Sequence, residues 1–214
     1  MSSFSRIRWR NRLIALFPVV NQLSELRYLI QASAGWRTTG WTDPPPYFVK
    51  RAVLLAEARA VEARTLVETG TFFGDTTWSF RKSFERIHTI EVQPELAAMA
   101  RERFRKIPSV TVHEGDSAVL LADLCRTIGT PCVFYLDGHY SGGDTGMGKK
   151  ECPAIEELDA IFSTMKHAFR IVIDDARLFG THPAYPHLDE IQSFLISRNT
   201  GMTMRVENDA IVIS

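Results

Sequence analysis

The chain has 214 residues, of which 45% are hydrophobic and 23% are charged, as expected for a globular protein with one sizeable core. Lysine plus arginine and aspartate plus glutamate number 25 each, so the formal net charge is zero, which argues against a protein that holds nucleic acid by charge. The three cysteines form no CxxC motif and no apolar run has transmembrane length, so we expect a cytoplasmic protein with reduced thiols.

Residues 1–46 are predicted to form a helical N-terminal extension that ends in a proline-rich linker. Apolar residues recur at helical spacing as far as Ile30, and three consecutive prolines end at Pro46. Arginines alternate with other residues near the start of the extension, at Arg6, Arg8, Arg10 and Arg12. We interpret this segment as a solvated helix that packs on the main domain, and contact with an anionic membrane is the less favoured alternative.

From residue 47 onward, predicted helices alternate with predicted strands. Helices are expected at 47–63, after Gly74, and at 94–104, 117–128, 153–165 and 188–196. Strands are expected at 65–67, 87–92, 110–112, 132–136, 171–173, 202–207 and 210–213. Helices between successive strands imply parallel pairing through right-handed crossovers. The last two strands are joined by a tight turn at Asn208 and Asp209, so they must be antiparallel.

These elements predict an α/β fold: a Rossmann-like, mostly parallel sheet with a C-terminal antiparallel hairpin, helices on both faces and a helical N-terminal extension. Ligands of such sheets bind at the carboxyl ends of the strands. Each predicted parallel strand ends in or near an acidic residue, namely Glu68, Glu91, Asp116, Asp137 and Asp174. The sequence therefore predicts an acidic ligand site at this edge of a domain spanning residues 47–214.

The first predicted strand leads into a glycine turn with the sequence Glu68-Thr69-Gly70-Thr71-Phe72-Phe73-Gly74. Gly70 and Gly74 let the backbone approach a ligand, and the helix that follows offers free N–H groups. Glu91 is placed to accept hydrogen bonds from both hydroxyls of a ribose, and Asp116 with Ser117 can bind an adenine amino group. A nicotinamide dinucleotide is the alternative ligand, but its GxGxxG fingerprint differs from the GxxxG of this chain.

The Glu-x-Gly-x-x-x-Gly motif, the acidic strand end 23 positions after Glu68 and the later Gly-Asp-Ser resemble the pocket of class I S-adenosylmethionine (SAM)-dependent methyltransferases. The resemblance covers residues 48–214 and includes the C-terminal hairpin. It implies that Glu91 binds the ribose of SAM and that Asp116 and Ser117 bind its adenine. The glycine motif would cradle the methionine part through Glu68, Gly70, Thr71 and Gly74.

Two neighbouring strand ends carry three further carboxylates, in Leu136-Asp137-Gly138-His139 and Ile173-Asp174-Asp175. Such a set suits a hard divalent cation such as Mg²⁺ or Mn²⁺. These segments resemble the metal-dependent O-methyltransferases, from catechol to macrolide-sugar types, and their cephalosporin-hydroxylase-like relatives. A metal on Asp137, Asp174 and Asp175 would lower the pKa of a substrate hydroxyl, and His139 could accept its proton. In the alternative interpretation, Asp137 holds the SAM amino group without metal, while Asp174 and Asp175 cap a turn.

The sequence thus predicts a SAM-dependent O-methyltransferase that acts on a small-molecule or sugar hydroxyl. One alternative is a metal-assisted oxidoreductase or hydroxylase on the same scaffold, and a methylated rather than an oxidised product would distinguish the two. A second alternative is a non-catalytic SAM-binding module. The sequence leaves open the identity of the substrate and whether the chain forms a homo-oligomer.

Overall fold

The computed structural model describes Trp36 and residues 44–138, 150–199 and 201–214. Within these ranges, helices and strands follow one another in the predicted order. The helices are α1 (Tyr47–Ala60), α2 (Asp75–Phe80), α3 (Pro94–Phe104), α4 (Ser117–Thr127), α5 (Ala154–Thr164) and α6 (Leu188–Ser197), with a short 3-10 helix at Ala176–Leu178. The strands are β1 (Thr65–Thr69), β2 (Arg86–Glu91), β3 (Val110–Glu114), β4 (Cys132–Leu136), β5 (Phe169–Ile173), β6 (Met204–Glu207) and β7 (Ala210–Ile213).

The described strands form one seven-stranded sheet in the order β3-β2-β1-β4-β5-β7-β6. The first five strands pair in parallel, whereas β7 pairs antiparallel with both β5 and β6. The predicted mostly parallel sheet with an antiparallel hairpin at one edge is therefore confirmed. The strand order reverses between β1 and β4, and a ligand crevice forms at such a reversal, beyond the carboxyl ends of the strands.

Apolar side chains cover both faces of the sheet. Because alternate residues of a strand point to opposite faces, Val133 and Phe134 of β4 belong to different core layers. Phe134 packs in the layer that contains Leu158 of α5, and Val133 packs in the layer that contains Leu54 of α1. The prediction of helices on both faces is confirmed, and burial of these two layers holds the strand ends in fixed register.

Some element boundaries differ from the predicted ones for local physical reasons. α1 ends at Ala60 rather than at residue 63, because Glu62 adopts a left-handed φ of 52° and the N–H of Ala63 donates to the carbonyl of Ala58. β1 runs two residues beyond the predicted 65–67 and includes Glu68 and Thr69. Both polar residues are buried, because parallel strands pair with β1 on each side.

The described residues from Lys50 to Ser214 belong to one compact unit, and the described residues before Lys50 belong to another. Most of the predicted N-terminal extension lies outside the described residues, so its helical character and its boundary at residue 46 stay predictions. No helix in the described ranges has both the length and the apolar character needed to cross a bilayer.

Candidate functional site

The loop after β1 has the left-handed turns and the close backbone approach that its two glycines predict. Gly70 and Gly74 have left-handed φ values of +81° and +75°. A Cβ on Gly70 would lie 2.3 Å from the carbonyl oxygen of Asp137, and one on Gly74 would lie 2.8 Å from the ring of Phe104. The end of β1 can therefore pass against the backbone after β4 only because residue 70 lacks a side chain.

Glu68 lies in β1 just before this loop, and its buried carboxylate is hydrogen-bonded to the threonines that hold the loop in place. Glu68 Oε2 accepts hydrogen bonds from Thr77 Oγ1 at 2.5 Å and Thr89 Oγ1 at 2.6 Å. Thr71 Oγ1 lies 2.5 Å from Thr89 Oγ1, which extends the network into the glycine loop. Burial raises the pKa of Glu68 to about 7, although the threonine hydroxyls oppose the shift. Direct contact of Glu68 or Thr71 with a cofactor stays a prediction.

Glu91 ends β2 and is 4% exposed. Its Oε2 accepts a hydrogen bond from the N–H of Phe72 at 2.7 Å, and its Oε1 accepts one from the N–H of Gln93 at 3.0 Å. Each carboxylate oxygen has a second lone pair, so both oxygens can still accept a hydroxyl hydrogen bond. The two backbone contacts fix the orientation of the carboxylate that was predicted to bind a ribose.

The predicted adenine-binding residues lie at the neighbouring strand end. The N–H of Gly115 donates to the carbonyl oxygen of Glu91 at 2.8 Å, which places Asp116 and Ser117 beside β2. Asp116 caps α4, because its Oδ1 accepts a hydrogen bond from the N–H of Ala118 at 3.0 Å. Ser117 begins the helix and is buried. The structure therefore brings Glu91, Asp116 and Ser117 to one end of the sheet, as predicted.

The three predicted metal ligands also meet at one point. Asp137, Asp174 and Asp175 each offer one carboxylate oxygen, and these three atoms all lie within 4.8 Å of one another. Consecutive residues of a strand would point to opposite faces. Asp175 instead adopts a left-handed φ of 58°, and this turn after β5 lets two consecutive carboxylates join Asp137.

Lys50 of α1 contacts this cluster. Its Nζ forms an ion pair with Asp174 Oδ2 and lies 3.7 Å from Asp175 Oδ1. Burial would lower the pKa of Lys50, but the surrounding carboxylates outweigh it and raise that pKa. Tyr135 OH donates to the same Asp174 Oδ2 at 2.8 Å, whereas the buried Asp174 Oδ1 has no hydrogen-bond partner within the described residues.

Arg177 is a second cation beside the cluster. Its guanidinium donates to Asp175 Oδ1 at 2.9 Å and forms an ion pair with the buried Asp209. Among the described residues of this cluster, four carboxylates face two cations when every group is ionised, which leaves an excess of two negative charges. Burial and the neighbouring Asp174 accordingly raise the pKa of Asp137 well above its usual value, although Lys50 opposes the shift. The cluster can therefore hold further positive charge.

Glu157 of α5 is a buried carboxylate that the sequence prediction did not include. It is fully buried, and the hydroxyls of Ser117 and Thr69 lie near its carboxylate. A Cβ on Gly138 would lie 3.5 Å from Glu157 Oε1, so this acid lies directly behind the turn after β4. Burial raises the pKa of Glu157 to about 7, and the hydroxyls of Ser117 and Thr69 oppose the shift.

We expect Glu157→Gln to raise the free energy of unfolding by about 3 kcal/mol at pH 8, and by no more than about 1 kcal/mol at pH 5. Folded Glu157 keeps its proton up to a pH of about 7, whereas the unfolded chain releases it near 4.5. The stability of the wild type therefore falls as the pH rises through this window, and glutamine removes that loss. Urea denaturation of both proteins at pH 5, 6, 7 and 8 measures the difference.

Glu156→Gln is the matched control, because Glu156 precedes Glu157 in α5 but forms an ion pair with the exposed Lys150. We expect it to change the free energy of unfolding by less than about 1 kcal/mol. A Glu157→Gln effect that stays constant from pH 5 to pH 8 would contradict the raised pKa.

The predicted site includes the strand-end carboxylates but not Lys50, Tyr135 or Glu157. Tyr135 and Glu157 carry a detectable signal, because each is a polar residue within an apolar pattern. Tyr135 lies in a buried strand two residues before Asp137, and Glu157 lies on the apolar face of α5. Lys50 carries no such signal, since its partner Asp174 is 124 positions away. His139, the predicted proton acceptor, lies outside the described residues.

The chain matches no protein-family model and no curated protein sequence. It does resemble solved structures. The O-methyltransferase TomG from Streptomyces achromogenes, in complex with SAM, aligns with a TM-score of 0.57 and 20% identity over 86% of this chain and 87% of TomG. An O-methyltransferase from Bacillus cereus, in complex with SAH, aligns with a TM-score of 0.56 and 16% identity over 89% of each chain. The SAH-bound methyltransferase PaMTH1 from Podospora anserina aligns with a TM-score of 0.53 and 15% identity over 92% of this chain and 95% of PaMTH1. These similarities show that the chain has the class I SAM-dependent methyltransferase fold.

Proposed function

We propose that the protein is a SAM-dependent O-methyltransferase that acts on a small-molecule or sugar hydroxyl with the help of a divalent cation. The proposal rests on three features that lie at one end of the sheet. They are the glycine loop after β1, the oriented carboxylate of Glu91, and the cluster of Asp137, Asp174 and Asp175. The similarity of the fold to O-methyltransferases solved with SAM or SAH supports this choice of methyl donor.

The crevice residues fit SAM in geometry and in charge. Glu91 is held by two backbone N–H groups and retains lone pairs for the two ribose hydroxyls. Gly70 brings the end of β1 against the backbone of Asp137, beside an acidic cluster with excess negative charge. The sulfonium and ammonium groups of SAM carry charge of the opposite sign. When bound, SAM supplies an electrophilic methyl group.

The acidic cluster fits a divalent cation such as Mg²⁺ or Mn²⁺. All its donors are carboxylate oxygens, and three protein ligands would leave coordination positions for a substrate oxygen. Asp174 Oδ1 is buried without a partner among the described residues. Buried polar atoms normally have a partner, and a bound cation would supply one here. A bound cation would supply Lewis acidity and lower the pKa of a substrate hydroxyl.

In this proposal the chain's own residues position the reactants. Tyr135 and Lys50 hold Asp174, and Arg177 holds Asp175, so two of the proposed ligands are oriented by hydrogen bonds from the protein. His139 follows β4 and is assigned the role of proton acceptor for the substrate hydroxyl. Most of the rate enhancement would come from in-line placement of that oxygen against the methyl group.

We expect Glu91→Gln to weaken SAM binding by about 10- to 100-fold, which corresponds to about 1.4 to 2.8 kcal/mol. The substitution removes the charged acceptor for the ribose hydroxyls. It also turns an amide N–H₂ toward the backbone N–H of either Phe72 or Gln93, because each carboxylate oxygen now accepts from one of them. Calorimetric titration of the purified protein with SAM measures the change.

Glu114→Gln is the control, because Glu114 is the register partner of Glu91 on β3 but is exposed and paired with Arg101. Its SAM affinity should match that of the wild type. A wild-type protein that binds no SAM at millimolar concentration would rule out the proposed cofactor, and a parallel titration with NAD⁺ then tests the dinucleotide alternative.

A further inference from the structure

We propose that Lys50 is a tethered cation that neutralises the acidic cluster while no metal is bound and releases Asp174 when a divalent cation binds. This role presupposes the metal site of the proposed function and names the residue that sets its affinity. The cluster would then exchange between a lysine-bound and a metal-bound state.

Lys50 contacts the oxygens that a metal would use. Its Nζ pairs with Asp174 and lies 3.7 Å from Asp175 Oδ1, so one ammonium group faces two of the three proposed ligands. A divalent cation must approach the same ligands to about 2.0–2.6 Å. Because the two cations carry charge of the same sign, each disfavours the presence of the other at this point.

Of the two described cations beside the cluster, Lys50 is the one that can withdraw. Arg177 is held by Asp175 and by the buried Asp209, which both contact Nη1 of its guanidinium, and its backbone N–H also donates to Asp209 Oδ1 at 2.8 Å. The two side chains are similarly exposed, at 19% for Lys50 and 22% for Arg177, but the ion pairs of Lys50 within the described residues are only with the proposed ligands Asp174 and Asp175. Its charge sits on a flexible four-carbon stem, so it can turn toward solvent.

Asp174 is arranged to tolerate the departure of Lys50. Tyr135 OH also donates to Asp174 Oδ2, at 2.8 Å, so this oxygen keeps a partner after the lysine leaves. Asp174 Oδ1 is buried and has no hydrogen-bond partner within the described ranges, so it can accept a metal without breaking an existing bond. A carboxylate that served only as the partner of Lys50 would need neither feature.

We expect Lys50→Met to bind Mn²⁺ at least about 10-fold more tightly than the wild type, because the competing charge is gone while the ligands remain. Calorimetric titration with MnCl₂ measures both affinities. Lys106→Met, which removes an exposed lysine, is the control and should leave the affinity unchanged. Equal or weaker binding of Mn²⁺ by Lys50→Met would overturn the proposal.

A second measurement needs no substitution. We expect acetic anhydride to modify Lys50 of the wild type faster at saturating Mn²⁺ than in its absence, as followed by peptide mass spectrometry with Lys106 as the internal reference. Unchanged reactivity of Lys50 at saturating Mn²⁺ would also overturn the proposal.

Titration with SAM, carried out alongside, separates this proposal from the proposed function. Normal SAM binding together with equal Mn²⁺ affinities would reject the role of Lys50 and leave the proposed function standing. Normal SAM binding without any Mn²⁺ binding would reject both the metal site and the role of Lys50, whereas absence of SAM binding would reject the methyltransferase function itself.

Discussion

Replacement of Gly70 by alanine is expected to abolish measurable SAM binding and to lower the free energy of unfolding by about 3 kcal/mol. The left-handed φ of +81° alone disfavours any side chain. The new Cβ would also lie 2.3 Å from the carbonyl oxygen of Asp137 and 2.8 Å from its carbonyl carbon. Both are backbone atoms, so the ends of β1 and β4 would have to separate, and the proposed crevice lies between them. Urea denaturation and calorimetric titration with SAM measure the two effects.

Two other glycines separate the cost of the left-handed backbone from the cost of the steric contact in Gly70→Ala. Gly201 has a left-handed φ of +69° but no atom of the described residues within 4 Å of an added Cβ, so Gly201→Ala should cost only about 1 to 2 kcal/mol of conformational strain. Gly129 has open space and no left-handed φ, so Gly129→Ala should be nearly neutral. If Gly70→Ala cost no more than Gly201→Ala, the close approach of β1 and β4 would be contradicted.

Much of the fold can be predicted from the sequence because local signals mark its elements. α3 begins at Pro94 and β4 is an apolar run from Cys132 to Leu136, and both elements have the predicted bounds. β1 extends beyond its prediction to include Glu68, whose carboxylate accepts hydrogen bonds from Thr77 and Thr89 in other elements. β5 begins two residues before its prediction, because Phe169 and Arg170 pair in register with the start of β4.

The acidic part of the candidate site could be predicted for a topological reason. Parallel strands place their carboxyl ends at one edge, so the carboxylates at the ends of β2, β3, β4 and β5 lie along that edge. The side chains that orient these carboxylates could not be found in the same way. Helical periodicity shows which side of α1 faces the protein, but not that Lys50 reaches Asp174, because that contact depends on packing across 124 positions of sequence.

The charge at Asp174 is expected to be essential for methyl transfer, so that Asp174→Asn lowers kcat by about 10³-fold. Asparagine offers a neutral oxygen where the proposed metal needs a charged ligand. Its N–H₂ group would also replace one of the two carboxylate oxygens. In one orientation it replaces Oδ2, which accepts from Lys50 and Tyr135. In the other it replaces Oδ1, which has no partner among the described residues and is the proposed metal ligand. Transfer of a labelled methyl group from SAM to a hydroxyl acceptor that the wild type methylates measures the loss.

Asp123→Asn, which alters an exposed ion pair with Arg126, is the control and should retain the wild-type rate.

The changes in Mn²⁺ binding, SAM affinity and activity in Asp174→Asn distinguish two possible roles of the acidic cluster. If the cluster holds a metal for the chemical step, the variant loses Mn²⁺ binding and activity while its SAM affinity stays within about threefold of the wild type. If the carboxylates instead balance the positive charge of SAM, the SAM affinity falls and Mn²⁺ has no effect on either protein. In that case Asp137 would hold the SAM amino group, as the alternative interpretation of the sequence has it. A wild-type kcat together with wild-type affinities for SAM and Mn²⁺ in Asp174→Asn would contradict both roles, because both assign a function to this buried charge.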